Sequence, residues 1–312
     1  MLHELIAHDG LILPSTFGLG GTGARALARD VDRGLLVKLR RGAFVESSVW
    51  ESSSLRDRHI LRVRAVVSAA QRPVIVAGLS AAALWGMPID GDWPTDVTLL
   101  DQWKGGGRSE PGVRRTASGF VTATSTELSG IAVTTLARTA VDVARCMPFS
   151  LAMGSLDWAL WRNNPRAITH EDLVDELARY RFHAGRRRVE AQLSFATHLS
   201  DSYGESECRA VIYLLGFEIP ELQLEVRDGV GLMRPDFTWP GVRRLGEFDG
   251  KLKYTCGFAP DGDIAEIVWQ EKKREDRLRR LGYGMSRFTT SDVKNPRLLQ
   301  AILQDAGIPR RA

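Results

Sequence analysis

A chain of 312 residues that is 44% hydrophobic and 26% charged lies in the globular range and exceeds the size at which one hydrophobic core usually stops growing, so two or three domains are expected. Lys and Arg number 42 against 38 Asp and Glu, a formal charge of +4 that permits a polyanionic partner without requiring one. The longest apolar stretch, residues 74–87, falls short of the roughly 18 residues that span a bilayer, and Glu4 and Asp9 are out of place in a secretory or Arg-rich leader, which together point to a cytoplasmic chain with no membrane partner.

Residues 1–50 read as a small winged helix-turn-helix. Leu2, Leu5 and Ile6 line a short first helix that stops at Gly10, and residues 11–13 fit a very short strand before Pro14. Ser15 is placed to cap a second helix ended by Gly18, Gly20 and Gly21. Thr22 caps a third, in which Ala24, Leu27, Ala28 and Val31 follow the i, i+3, i+4, i+7 spacing of a buried face. Arg25, Arg29 and Arg33 fall on the opposite face, a row suited to phosphate and base-edge contacts in a major groove. The alternation of Leu35, Val37 and Leu39, followed by Arg40-Arg41-Gly42 and Ala43-Phe44-Val45, predicts a two-stranded wing whose basic tip also meets nucleic acid.

Residues 51–165 read as a mixed α/β module, with helices over 58–70 and 80–85 and strands over 74–77, 96–100 and 120–124. Trp85, Trp93, Trp158 and Trp161 sit among alternating or helically spaced apolar residues, the pattern of core side chains and not of a base-stacking platform. Residues 166–200 read as a basic helical connector. Within it residues 179–188, with Arg186-Arg187-Arg188, either track a phosphate backbone or form a solvated helix end. His170, His183 and His198 have no Cys or carboxylate partners at ligand spacing. Cys146, Cys208 and Cys256 are too scattered for a disulfide framework or a metal site and are expected to be buried, reduced thiols.

Through "ARALARDVDRGLLVKLRRGAFV" at 24–45, and more weakly through "RPVIVAGLSAAALWGMPI" at 72–89 and "GIAVTTLARTAVDVARC" at 130–146, about half the chain resembles AbiEi-type antitoxins and related bacterial regulators. The resemblance implies a DNA-binding N-terminal domain and a toxin or other protein partner. It rests on hydrophobic and glycine patterns, so it points to no particular operator or toxin.

In residues 201–312, Glu205 opens a helix whose Cys208, Ile212 and Leu215 share one face and which Gly216 ends. Strands are expected over 222–226 and 233–239, the second carrying Arg234-Pro235-Asp236-Phe237. A third, over 244–251, has a period of two that puts Glu247, Asp249 and Lys251 on one face and Phe248 on the other. Phosphodiester hydrolysis needs such a set: oxygen ligands for Mg²⁺ or Mn²⁺, an activated water, and a cation for the transition state. Mg²⁺ takes one or two carboxylates and keeps several waters, so Asp236 and Asp249 from neighbouring strands suffice, with Glu247 beside them as a third metal candidate. Lys251 orients the water or stabilises the pentavalent phosphate, and Glu205 completes the metal shell or holds a metal-bound water. A helix over 264–281 brings Lys272 and Arg274 to a phosphate-binding rim, with Gln270 or Lys272 reaching the active edge and Glu275 pairing with Arg279. It precedes a strand over 284–288, and the Gly- and Pro-containing residues between Tyr254 and Asp263 read as a loop beside the substrate channel.

Pro235-Asp236 and Asp249-Gly250-Lys251 resemble the two halves of the PD-(D/E)xK nuclease signature. Through "YGESECRA", "RPDFTWP", "GEFDGKLKY" and "EKKREDRLRRLGYGMSRFT", residues 201–293 more closely resemble a bacterial group related to the very-short-patch repair endonucleases. The resemblance implies a restriction-endonuclease-like mixed sheet flanked by helices and Mg²⁺-dependent DNA cleavage. In those relatives Glu247-x-Asp249-Gly250 reads as the unit, an alternative register to Asp249 with Lys251. The repair endonucleases use histidines near this strand where the present chain has Asp249 and Tyr254, which leaves the general base open.

The expected protein is a multi-domain α/β chain of the α+β kind, with segments 1–50, 51–165, 166–200 and 201–312. It binds DNA and carries a Mg²⁺-dependent endodeoxyribonuclease domain, with phage defence or DNA repair as its setting. The competing reading is a non-catalytic, antitoxin-like transcriptional regulator. The presence of Asp236, Glu247, Asp249 and Lys251 together favours the enzyme.

Overall fold

Alternating apolar residues near the N-terminus pair as strands. β1 (Leu11–Ile12), β2 (Leu36–Arg40) and β3 (Ala43–Glu46) form an antiparallel sheet in the order β1-β3-β2, with Leu11 opposite Val45 and Leu36 opposite Glu46. Gly42, at φ +77°, supplies the left-handed turn between β2 and β3 that a side chain would strain. α1 (Gly21–Asp32) packs Leu27 with Ile12, Leu36 and Phe44, and Val31 lies against them. Ala24 and Ala28, expected on the buried face, are exposed. The larger Leu27 and Val31 set the rotation of the helix, because an alanine gains little by burial.

These elements belong to the first of two compact units in the computed structural model, one comprising residues 1–146 with 168–190 and the other 147–167 with 191–312. The structure describes residues 10–14, 21–101, 110–117, 119–182, 184–249 and 264–311. The expected first two helices, His183, Gly250, Lys251, Tyr254, Cys256 and the loop up to Asp263 lie outside the described residues. It is a multi-domain α/β protein with several mixed sheets.

The first unit continues with α2 (Ser47–Ser52) and α3 (Leu55–Ser68), the latter capped by Ser54, whose Oγ accepts from the Asp57 N–H. Then come β4 (Ile75–Val76), α4 (Gly78–Trp85), β5 (Val97–Leu100), β6 (Val113–Thr116), β7 (Ser125–Leu128), β8 (Ile131–Thr134) and α5 (Leu136–Cys146). The five strands form a mixed sheet in the order β6-β5-β4-β8-β7. Val63 and Val66 of α3 pack on its Val76, Leu99 and Val133. The strand expected over 120–124 is instead a 3₁₀ turn, Phe120–Thr122, and β7 starts only at Ser125. Val121 is almost wholly exposed, so the run has no face to bury despite its β-prone residues. Cys146, expected buried, is exposed, whereas Cys208 is buried.

The chain next contributes α6 (Phe149–Leu160) to the second unit and returns to the first with α7 (His170–Arg179). Thr169 and Asp172 cap α7 reciprocally, and its buried Glu176 meets Arg138 of α5 at 3.8 Å. α8 (Arg186–Phe195) starts in the first unit and ends in the second. Arg186 bonds Glu190 and the carbonyls of Leu177 and Tyr180, while Arg188 donates to the Arg145 carbonyl. Of the two readings of the basic connector, these contacts give both side chains a structural role.

The second unit adds α9 (Tyr203–Leu214), a β9 (Val226–Arg227) and β10 (Leu232–Met233) hairpin, and β11 (Phe237–Trp239), β12 (Arg244–Asp249), α10 (Ile264–Arg280), β13 (Gly284–Thr289), α11 (Thr290–Val293) and α12 (Pro296–Asp305). β11 pairs antiparallel with β12, and β12 pairs parallel with β13. The single strand expected over 233–239 is broken at Arg234-Pro235-Asp236, because Pro235 has no N–H for a ladder; the strand expected over 222–226 shrinks to Val226–Arg227. Helix α6 packs on α9 through the buried Asp157–Arg209 pair at 3.0 Å and a hydrogen bond from the Tyr203 hydroxyl to the Leu151 carbonyl.

Candidate functional site

The two faces of the β11-β12-β13 sheet have different fates. Phe237, Trp239, Phe248 and Phe288 enter one core with Cys208, Ile212, Leu299 and Leu303, so α9 and α12 cover that side. Leu245 packs on the other side with Val226, Met233 and Leu278 of α10. Glu247 and Asp249 alternate with Phe248 and therefore share the α10 side. Buried Glu247 accepts from Arg274 of α10 at 2.7 Å, and Asp249 accepts from Arg287 of β13 at 3.2 Å. Arg287 is the direct register partner of Glu247.

Asp236 immediately precedes β11, and extending the pairing of Phe237 with Gly246 by one residue sets it opposite Glu247. Its Oδ2 accepts the Phe248 N–H at 2.7 Å, so Pro235-Asp236 closes the end of the ladder with a side chain where the strand has lost a backbone partner. Glu205 reaches the same edge from the first turn of α9. That approach requires Gly204, since a Cβ there would lie 2.0 Å from the Phe248 ring. Ser202 caps the helix by accepting the Glu205 N–H, and the Glu205 carboxylate accepts from the Ser202 hydroxyl at 2.8 Å and the Asp201 N–H at 3.0 Å. Burial first, and then the negative charge of Asp236, push the Glu205 carboxyl up to about 7, against the opposing hydrogen bonds from Ser202 and Asp201.

Of the five residues assigned to chemistry from sequence, Asp236, Glu247 and Asp249 lie on or beside the neighbouring strands β11 and β12, Glu205 approaches Asp236 from α9, and Lys251 lies outside the described residues. The expected three-carboxylate metal set of Asp236, Glu247 and Asp249 does not appear as a cage: among the described residues no group of three or more His, Cys, Asp or Glu side chains is placed to hold a metal ion. Arg274, expected on a phosphate rim, is ion-paired with Glu247, while Lys272 is exposed on α10. Arg287 was not singled out from sequence. Counting back along the β12–α10–β13 crossover from Phe288 opposite Phe248 is the signal that would have found it. In the first unit Arg25, Arg29, Arg33 and Arg41 are exposed, with Arg33 at 3.8 Å from Asp30, and Arg40 reaches Glu110 at 3.4 Å.

The architecture is that of a two-unit α/β protein with an acidic, arginine-lined sheet edge. No protein-family model matches the chain. It is 30% identical over 216 residues to two uncharacterized proteins of Mycobacterium tuberculosis, Rv2248 of strain H37Rv and MT2308 of strain CDC 1551, an alignment spanning 69% of this chain and 74% of each relative. The chain belongs to the family of these two proteins. A solved structure, that of the Rv2827c protein from Mycobacterium tuberculosis, is similar at 16% identity and a TM-score of 0.35 over 58% of this chain and 67% of that one. Among the described residues no helix is long and apolar enough to cross a membrane.

Proposed function

We propose that the second unit is a Mg²⁺- or Mn²⁺-dependent nuclease of the PD-(D/E)xK kind that hydrolyses DNA, and that α1 and the β2–β3 wing of an AbiEi-like first unit hold the duplex. The observation that carries the reading is the buried Glu205 carboxyl raised to about 7 beside Asp236 at the sheet edge. A carboxyl pushed up by burial and then by a neighbouring carboxylate marks a place short of positive charge, and two carboxylates are as many as Mg²⁺ ordinarily takes from a protein. The pair therefore fits a divalent cation, with Glu247 and Asp249 next in line. Such an ion, when bound, lowers the pKa of a water and neutralises charge on a phosphate. Asp236 is fixed by the Phe248 N–H, a bound cation would hold Glu205 ionised, and Arg274 and Arg287 set guanidinium charge where a phosphate would lie.

The ion pairs Glu247–Arg274 and Asp249–Arg287 favour a second reading, in which cationic side chains have taken over the carboxylates and the protein is a non-catalytic regulator. Incubating the purified full chain with supercoiled plasmid and linear DNA, with Mg²⁺ or Mn²⁺, separates the two. The nuclease nicks or cuts DNA, and Asp236→Ala abolishes this while the far-ultraviolet dichroism stays that of the parent. Absence of cleavage by the parent protein across DNA and RNA substrates supports the regulator.

A further inference from the structure

The wing strand β2 ends, at Arg40, beside a cavity whose other lining residues the DNA reading does not use. It lies in the first unit, has a volume of about 630 Å³, and is lined by Arg40, Arg72, Arg115 and Glu110. That volume falls within the range of small-molecule sites. The floor is apolar, made by Val66 at the end of α3, by Val74 and by Leu99 of β5.

Its charged wall is a chain of contacts in which positive groups exceed negative ones. Arg40 and Arg115 each meet Glu110 at 3.4 Å, Arg115 meets Asp101 at 3.1 Å, and Arg72 meets the same Asp101 oxygen at 3.4 Å. Three guanidinium groups thus share two carboxylates. All four contacts are longer than the 2.7–2.9 Å typical of charge-assisted hydrogen bonds. The Arg40 and Arg115 side chains are about one quarter exposed, whereas Glu110, which they share, is half exposed and easily displaced. Among the described residues the buried Nε of Arg40 has no hydrogen-bond acceptor. A buried donor without an acceptor is costly, so this wall is short of negative charge.

We infer that this cavity binds a phosphorylated small molecule, with Arg40, Arg72 and Arg115 taking the phosphate in exchange for Glu110 and with Val66, Val74 and Leu99 receiving an apolar or aromatic body. Guanidinium forks match phosphate oxygens in pairs, and the apolar side chains among the lining suit the body that carries the phosphate. The inference is independent of whether the second unit cleaves DNA.

The test is calorimetric titration of the full chain with adenosine diphosphate, pyrophosphate and adenosine, repeated with Arg115→Ala and with Glu110→Gln. Saturable binding of adenosine diphosphate is expected, stronger than that of pyrophosphate or adenosine alone. Arg115→Ala weakens it about tenfold or more, and Glu110→Gln, which removes the competing anion at an exposed position, strengthens it. Because Glu110→Gln is not expected to disturb folding, it carries the test even if Arg115→Ala does not fold. Absence of saturable binding by both phosphorylated probes overturns the inference. So does adenosine binding as tightly as its diphosphate, or binding that Glu110→Gln leaves unchanged.

Discussion

Replacing Glu205 with glutamine should make the protein more stable at alkaline pH. The carboxyl is 7% exposed and sits at about 7 in the folded chain against an ordinary 4.5. At about 1.4 kcal/mol for each tenfold change in proton affinity, ionised Glu205 costs the folded state about 3 kcal/mol. The sign follows from proton binding: between pH 4.5 and 7 the folded chain holds more proton on Glu205 than the unfolded chain does. Stability from this group therefore falls as pH rises through that window and is level above it. Glu205→Gln removes the charge and keeps one oxygen to accept from the Asp201 N–H, while its amide NH2 takes the place of the oxygen that met the Ser202 hydroxyl, which can turn to accept. In urea unfolding followed by tryptophan fluorescence, the variant should exceed the parent by about 3 kcal/mol at pH 8, and the gap should close as pH falls toward 4.5. A variant less stable than the parent at pH 8, or a gap that ignores pH, would refute the reasoning. Stability given up at a cluster of like charges is the mark of a site kept for chemistry or binding.

Gly204→Ala should lower stability by about 2 kcal/mol or more, read as a fall in the thermal midpoint, because its Cβ would lie 2.0 Å from Phe248 Cε1 and the ring is held in the core. Asp157→Ala leaves the 5%-exposed Arg209 without its carboxylate and should cost about 3–5 kcal/mol in urea unfolding, while Asp157→Ala with Arg209→Met should cost less than the single change. Arg25→Gln with Arg29→Gln should weaken duplex binding and flatten its salt dependence, each lost phosphate contact lowering the logarithmic slope by about 0.9 in fluorescence anisotropy. An unchanged slope would assign that helix face to protein contacts.

How far the sequence foretold the structure depended on the range of the interaction. The helix opened by Glu205 and ended by Gly216, strand β12 and helix α10 follow from local periodicity and caps, and they appear where expected. Placing Asp236, Glu247 and Asp249 on neighbouring strands needed only the correct alternation along β12 and the assumption that β11 is its neighbour. The partners of those carboxylates were less accessible. Arg287 becomes visible only through the parallel register of β12 with β13, and Arg274 only through the rotation of α10 about its own axis. Val121 shows the reverse failure, since β-prone residues at 120–124 found no neighbour to cover them. Alternation alone runs one strand through Pro235, although a residue lacking an N–H divides a ladder. Nothing local could show that α7 returns to the first unit, because that is decided by the burial of Glu176 beneath Arg138, far back in the chain.

That return shapes how the protein comes off the ribosome. The first unit is incomplete until residue 190 has been made, yet α6, which serves the second unit, is made before α7. Until α9 follows, Phe149 and Gly154 of α6 lack Tyr213 and Tyr203, and the carboxylate of Asp157 lacks Arg209. Growing chains therefore pass through a stage in which neither half is finished and an apolar helix waits for its partner. Shielding that helix from other nascent chains is a demand that an arrangement of consecutive domains would not make.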